Sequence, residues 1–400
     1  MFWFNFLHLY QPANLETFKI KEALDKSYWR IIRLLEEHPD LHFTLNISGC
    51  LVERLVFEKE LEFIRRLRRL VGRGQVELTG SAAYHAFLPL LPAGEIIKQI
   101  KENEAILKKY FGKNLKLRGF FFPEMAYSAP VARIVKKLGY HWTILDEISF
   151  SGRSRLQPNP NCLYLDKASG LQIIFRHRRL SSAYVPDQLN KILLAKPVPR
   201  QAKITGSDKI IITATDSELY GLRHQDQSAE LEKIVKRPDL KTETLSWLIE
   251  QIAKLESKKI KVFPASWETS SAEIKLSQPY QLWHNKSNRI QTGLWQLAQL
   301  ELVLGEKFKN DKNKYWYRWH LVRGLASCTF WWASGRDFSA VFGPRAWSPD
   351  DIERGLEDLI RAGRSLADPR SRAGKQRAEK IYLKIKKLIW EEHWVKHWLK

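Results

Sequence analysis

Over the first two thirds of this 400-residue chain, short apolar runs alternate with stretches of helical period. The runs predict strands at Phe2–Leu7, His42–Ile47, Gln75–Leu78, Lys116–Phe122, His141–Leu145, Leu171–Phe175, Lys209–Ala214 and Ile260–Phe263. Between several of them lie predicted helices over Ala23–Glu37, Glu58–Val71, Ala93–Tyr110, Ala129–Leu138 and Thr244–Leu255. Such alternation implies parallel pairing with right-handed crossovers. Seven or eight strands of this kind favour a closed barrel over an open sheet. No Gly-rich phosphate loop opens any of the helices, which argues against a dinucleotide-binding sheet.

Residues 151–208 are less regular. Gly152 to Pro160 is rich in turn formers, and Lys196-Pro197-Val198-Pro199 is an extended break, so a loop excursion near the barrel mouth is expected there. After about residue 275 the pattern becomes purely helical, with candidates at Arg289–Leu304, Lys314–Trp332, Pro349–Leu366 and Arg377–Leu399. The expected organisation is therefore an α/β barrel over residues 1–275 and an α-helical domain over 276–400 packed on it. A chain of this length exceeds the usual single core.

Fifteen Trp residues are many, and most are expected to fill cores. The net charge of +22 raises nucleic acid as a partner. The cations are spread out, however, and their two concentrations, Arg65-Arg66-Leu67-Arg68-Arg69 and the final helix, read as solvated helix faces. That argues against nucleic acid. The final helix also places Trp390, Trp394 and Trp398 at i, i+4 and i+8, with Lys384, Lys386, Lys387, Lys396 and Lys400 nearby. We read the stripe as docking on the helical domain, with an interfacial membrane or partner helix as the alternative. Cys50, Cys162 and Cys328 are far apart and odd in number, which points to a reducing compartment. The N-terminal segment lacks a basic region and a small-residue cleavage site, and no apolar run reaches the length of a membrane span. A cytoplasmic location is expected.

Two segments carry the chemistry. Gly119-Phe120-Phe121-Phe122-Pro123-Glu124 and Ile210-Ile211-Ile212-Thr213-Ala214-Thr215-Asp216 are apolar, β-prone runs that each end abruptly at a carboxylate. The C-terminal mouth of a barrel strand is where catalytic groups sit in barrel enzymes. Two carboxylates from different strands are what glycoside hydrolysis requires.

Five ordered regions make the chain resemble glycoside hydrolase family 57. They are His8-Leu9-Tyr10-Gln11-Pro12, Gly74 to Pro92, the Glu124 segment, the Asp216 segment through His224, and Leu325-Ala326-Ser327-Cys328-Thr329-Phe330-Trp331-Trp332. The resemblance implies an incomplete (β/α)7 TIM-like barrel followed by a helical domain. It implies a cofactor-free retaining enzyme acting on α-linked oligo- or polysaccharides, by hydrolysis or by transfer. It makes Glu124 the nucleophile and Asp216 the general acid/base. His8, Gln11, Glu77, His85 and His224 become substrate contacts, and Trp331, Trp332 and, more weakly, Trp267 become aromatic platforms. Retention implies carboxylates roughly 5–5.5 Å apart. The chain departs from the family pattern at Tyr10, where a second His is usual, and at Leu222, where a His often follows.

Three alternatives stay open. Glu218 lies two residues beyond Asp216, on the same face of an extended segment, and could take its role. A metal-dependent deacetylase or mannosidase shares a similar barrel, although His38 with Asp40 and His393 with His397 stand in the wrong places to serve it. No metal site is expected. The thinned His cluster also admits a non-catalytic glycan-binding relative.

Overall fold

The computed structural model describes residues 1–153, 156–195, 209–336 and 346–398, with backbone alone at 194 and 195. The chain forms two compact units. One comprises Met1–Gln11, Leu15–Ala83 and Leu88–Pro279; the other comprises Pro12–Asn14, Tyr84–Phe87 and Tyr280–Lys400.

The first unit is an α/β structure with ten short strands among its described residues: β1 (Phe2–Leu9), β2 (Phe43–Ile47), β3 (Val76–Leu78), β4 (Gly119–Phe120), β5 (Trp142–Asp146), β6 (Leu163–Asp166), β7 (Gln172–Arg176), β8 (Ile210–Asp216), β9 (Lys241–Thr242) and β10 (Ser257–Ile260). They form two sheets. One runs β3-β2-β1-β8, with β9 on the first residues of β1; the other runs β10-β6-β7-β5-β4. All pairs are parallel except the β6–β7 hairpin. Two further contacts join the sheets. The Gly80 amide donates to the Gly119 carbonyl at 2.9 Å and the Phe121 amide to the Gly80 carbonyl at 2.8 Å, while the His177 amide donates to the Ile212 carbonyl at 2.8 Å.

All eight residues of β1 are buried, as a strand covered on both faces requires. Phe2, Phe4 and Phe6 share one face of it. With Ile210, Ile212 and Ala214 of β8, Trp142 and Ile144 of β5, Ile174 of β7, and Phe121 and Met125, they form one core. Side chains along a strand alternate in direction with period two. The next residue on the core face of β1 is therefore His8, and the next on β8 is Asp216. The apolar interior thus ends in polar groups at the C-terminal ends of its strands.

Several boundaries differ from the sequence reading. Part of 151–208 is regular where a loop was expected: β6 pairs with β7, and helices follow at Arg178–Ser181 and Val185–Ala195. The apolar run Cys162-Leu163-Tyr164-Leu165 is too short to signal a strand beside so many turn formers. The Lys196–Pro199 break lies outside the described residues. The expected strand Lys116–Phe122 shrinks to Gly119–Phe120, because Pro123 opens a 3-10 turn directly afterwards. The last predicted strand lies three residues early, at Ser257–Ile260, and is mostly exposed.

The second unit is helical, with helices at Arg289–Lys307, Lys314–Gly324, Ser327–Trp331, Pro349–Ser365 and Arg372–Glu392. The expected single helix Lys314–Trp332 is broken at Ala326. That residue is extended (φ −54°, ψ 138°) and bridges Ala86, which draws the short segment Tyr84–Phe87 into this unit. Close packing relies on small residues: a Cβ on Gly324 would come within 2.7 Å of Leu359, and one on Gly355 within 2.2 Å of Thr329.

Candidate active site

Glu124 occupies an unusual backbone position. Its φ and ψ are 61° and 17°, and Met125 follows with φ 49°. Two successive non-Gly residues in left-handed conformations cost free energy, and such strain collects at functional sites. It arises because Pro123 ends the strand and the chain must reverse before Tyr127, whose amide donates to the Ala265 carbonyl. The reversal is held by Trp267 at two points. The Trp267 amide donates to the Glu124 carbonyl at 3.1 Å, and the indole Nε1 donates to Glu124 Oε2 at 3.0 Å.

Trp267 is itself fixed from behind. Arg176, at the end of β7, lies over its ring at 5.4 Å. Arg178 Nη2 donates to the Trp267 carbonyl at 2.8 Å. Both guanidinium groups bind the buried Asp146 at the end of β5, at 2.7 Å and 3.2 Å. Arg176 also donates to the Ala214 carbonyl of β8 at 2.8 Å. One buried carboxylate therefore anchors two arginines that set the indole against Glu124.

The other half of the cluster follows from strand register. His8 stands opposite Asn46 on β2 and opposite Asp216 on β8. His8 Nδ1 is 2.9 Å from Asn46 Oδ1. Burial pushes the imidazole down to about 4, against the opposing pull of the Asp216 charge and the Asn46 hydrogen bond, so the ring is neutral near pH 7. Tyr10 lies nearly parallel to it at 5.8 Å, Phe121 packs at 4.6 Å, and Trp267 meets its edge at 6.2 Å. Glu124, Trp267, His8 and Asp216 thus belong to one contiguous cluster.

Asp216 and Glu218 have different surroundings. Asp216 is partly exposed, and its Oδ2 pairs with Arg223 Nη1 at 2.8 Å. Glu218 is 2% exposed and turns inward. Its Oε1 accepts from Gln11 Nε2 at 2.7 Å and from the Tyr28 hydroxyl. Burial and the neighbouring Asp216 charge push Glu218 up to about 7, with Arg223 and Tyr28 pulling the other way. The short 3-10 turn Ser217–Leu219 separates the two directions.

The remaining sequence candidates have partners of their own. Glu77 caps the helix Leu245–Ile252: its carboxylate accepts from the Ser246 amide at 3.0 Å, from the Ser246 hydroxyl, and from Thr44 at 3.3 Å. His224 stacks on Tyr184 at 4.0 Å. His85, at φ 54°, lies in the second unit with Nδ1 2.9 Å from Ser327 Oγ. Trp331 and Trp332 lie in that unit too, half-buried and edge to face at 4.5 Å. Among the described residues no group of three metal-ligating side chains is gathered.

Several members of the cluster were not singled out from the sequence. Asn46, Tyr28, Asp146, Arg176 and Arg178 act through partners 17 to 190 residues away, which no local pattern reports. Arg223 had a signal, as a cation seven residues after Asp216.

The model of Glycosyl hydrolase family 57 matches residues 3–264. An α-amylase of Pyrococcus furiosus is 31% identical over 146 residues, covering 36% of this chain and 22% of the relative. A 4-α-glucanotransferase of Thermococcus litoralis is 26% identical over 145 residues, covering 36% and 21%. The aligned region is thus about a fifth of the length of these curated relatives. Among solved structures, a branching enzyme from Thermococcus kodakaraensis superposes with a TM-score of 0.70 at 16% identity, over 96% of this chain and 95% of that one. This last likeness speaks for the fold alone.

Proposed function

The chain belongs to glycosyl hydrolase family 57, and from that premise we propose that it is a retaining α-glucan hydrolase or transglycosylase. One observation carries the reading. A partly exposed carboxylate, Asp216, shares a cluster with a second, Glu124, whose backbone is strained and whose Oε2 is held by an indole N–H.

In this reading Glu124 attacks the anomeric carbon, and a glycosyl–enzyme ester forms as the leaving oxygen takes a proton from Asp216. Water or a second sugar hydroxyl then gives its proton back to Asp216 and displaces Glu124. Trp267 holds one carboxylate oxygen of Glu124, which leaves the other directed by geometry rather than by rotation. Asp216 is the acid/base in preference to Glu218, because Glu218 is enclosed by Gln11 and Tyr28. Neutral His8 and Gln11 are assigned to sugar hydroxyls, and Tyr10 can donate a hydrogen bond in place of a second His. Glu77, His85, His224, Trp331 and Trp332 remain proposed substrate contacts.

The two sheets are read as one incomplete (β/α)7 barrel. The Gly80–Phe120 bridge and the His177–Ile212 bond support a ring of β1, β2, β3, β4, β5, β7 and β8. A catalytic barrel over residues 1–275 and a helical domain over 276–400 complete the proposal, in a reducing, cytoplasmic setting that suits three free thiols.

Product chromatography tests it, with maltoheptaose, pullulan, amylose and a nitrophenyl α-galactoside as substrates. Shorter sugars, absent with Glu124→Gln and Asp216→Asn, are expected of a hydrolase. A ladder of longer and shorter glucans is expected of a transferase. No change with any substrate, for wild type and variants alike, would replace the enzyme by a glycan-binding relative.

A further inference from the structure

The Trp stripe of the last helix does not behave as a unit. The helix Arg372–Glu392 continues through a π-turn at His393–His397. Its inner face, Ala378, Tyr382, Ile385, Leu388 and Ile389, is buried. Trp390 belongs to that docked side: its indole donates to Glu353 at 2.8 Å, and Lys386 pairs with the same carboxylate at 3.2 Å. Trp394 and Trp398 do not. They are 55% and 60% exposed, Val395 between them is 82% exposed, and Leu383, about three turns back, is 60% exposed.

The cations of this helix are exposed as well. Arg372, Arg377, Lys380, Lys384, Lys387 and Lys396 are all open to solvent, whereas Glu391 is the one exposed acid among residues 372–398. Glu379 is taken up by Arg364 at 2.5 Å. Lys387 and Lys396 have Glu391 and Glu392 at 3.5 Å and 3.7 Å, but Arg377, Lys380 and Lys384 have no carboxylate partner among the described residues. The outer face is therefore a basic stripe that runs into an aromatic and aliphatic tip.

We propose that this face docks on an anionic phospholipid surface, with the helix lying in the membrane plane. Trp and Leu side chains beside Lys and Arg are the composition that settles at the boundary of headgroups and acyl chains. Anionic lipid attracts a basic segment and loses hold of it when salt screens the charge. The same charge pattern disfavours a second copy, since two such faces would meet cation to cation. The Trp394 and Trp398 rings are tilted 54° to one another, which gives no flat platform for a sugar chain. A nucleic acid would use the cations but would leave Leu383 and Val395 in water. No helix among the described residues is long and apolar enough to cross a membrane, so the contact is interfacial.

Flotation of the full-length protein with vesicles tests the proposal. Vesicles of phosphatidylcholine alone are compared with vesicles of equal parts phosphatidylcholine and phosphatidylglycerol. The protein is expected to float with the anionic vesicles only, and to be released by high salt. Trp394→Ser with Trp398→Ser, and separately Lys380→Glu with Lys384→Glu and Lys387→Glu, are each expected to lower the partition coefficient at least tenfold while sugar-cleaving activity stays at the wild-type level. Lipids brominated on the acyl chain are expected to quench part of the wild-type Trp emission, a readout that needs no variant. No flotation on anionic vesicles, no quenching, or equal flotation of the Trp variant would each overturn the proposal. So would tighter binding to duplex DNA than to vesicles, or concentration-dependent self-association through this helix.

Discussion

At the scale of single residues, the proposed mechanism separates groups in the cluster that would act directly from groups that would position them. Trp267→Phe keeps the ring but removes the donor to Glu124. A hydrogen bond to a charged group contributes roughly 1.5–3 kcal/mol, so kcat is expected to fall on the order of ten- to a hundredfold with the melting temperature lowered by a few degrees at most. Arg176→Met should lower kcat similarly but also destabilise the fold, because it leaves Asp146 buried with a weaker partner. Steady-state kinetics beside thermal unfolding tells the two apart. Glu218, pushed up to about 7 beside Asp216, predicts an inflection near pH 7 in kcat/KM that disappears in Glu218→Gln. Persistence of that inflection in the variant would assign it to another group. The two carboxylates Glu124 and Asp216 were legible in the sequence because each ends an apolar run, and nothing else so local marks a strand mouth. Their surroundings were not. The Arg223 pair, the Asn46–His8 contact and the arginines behind Trp267 depend on which strand ends up beside which.

At the scale of elements, one of the two joins between the sheets runs through Gly80. Its amide and carbonyl stitch the end of β3 to β4, and a Cβ there would come within 2.1 Å of the Tyr140 hydroxyl, which is itself bound to Glu104 at 2.9 Å. Gly80→Ala is expected to destabilise by about 1–3 kcal/mol, read as a lower denaturant midpoint; an unchanged midpoint would mean the Tyr140 ring can give way. Most strands and helices of the first unit could be read from periodicity, since fully buried strands such as β1 and β8 are nearly continuous apolar runs. The exceptions have physical causes. β4 is two residues long because Pro123 stops it. The break at Ala326 is invisible to a helical pattern, because what bends the chain there is a bridge to Ala86, far away in sequence. Glu77 carries a motif-like setting, yet its observed partners are Thr44 and Ser246, the latter in the first turn of a helix that starts 168 positions later, at Leu245.

At the scale of the whole molecule, acid–base behaviour extends beyond the candidate site. Glu301, within Arg289–Lys307, is fully buried, and neither carboxylate oxygen has a hydrogen-bond partner among the described residues. Burial first, and the Glu379 charge second, push it up to about 8, with Lys375 opposing. Its folded pKa lies above the unfolded value, so its favourable contribution is complete below pH 4.5 and is lost as pH rises through about 8. Between pH 6 and 9 the melting temperature is expected to drop on the order of a few degrees, and Glu301→Gln should flatten that slope. A wild-type curve already flat over that interval would contradict it. The placement of β1 has a different kind of consequence. It is held on one side by β2, about forty residues later, and on the other by β8, where Phe2 meets Ile210. During synthesis its second edge has no partner until some two hundred further residues have emerged, about ten seconds or more at ordinary elongation rates. Throughout that interval a largely apolar strand edge is open to any other strand that passes. The yield of folded protein should therefore be set in the ribosome's time, rising with lower crowding and with chaperone capture.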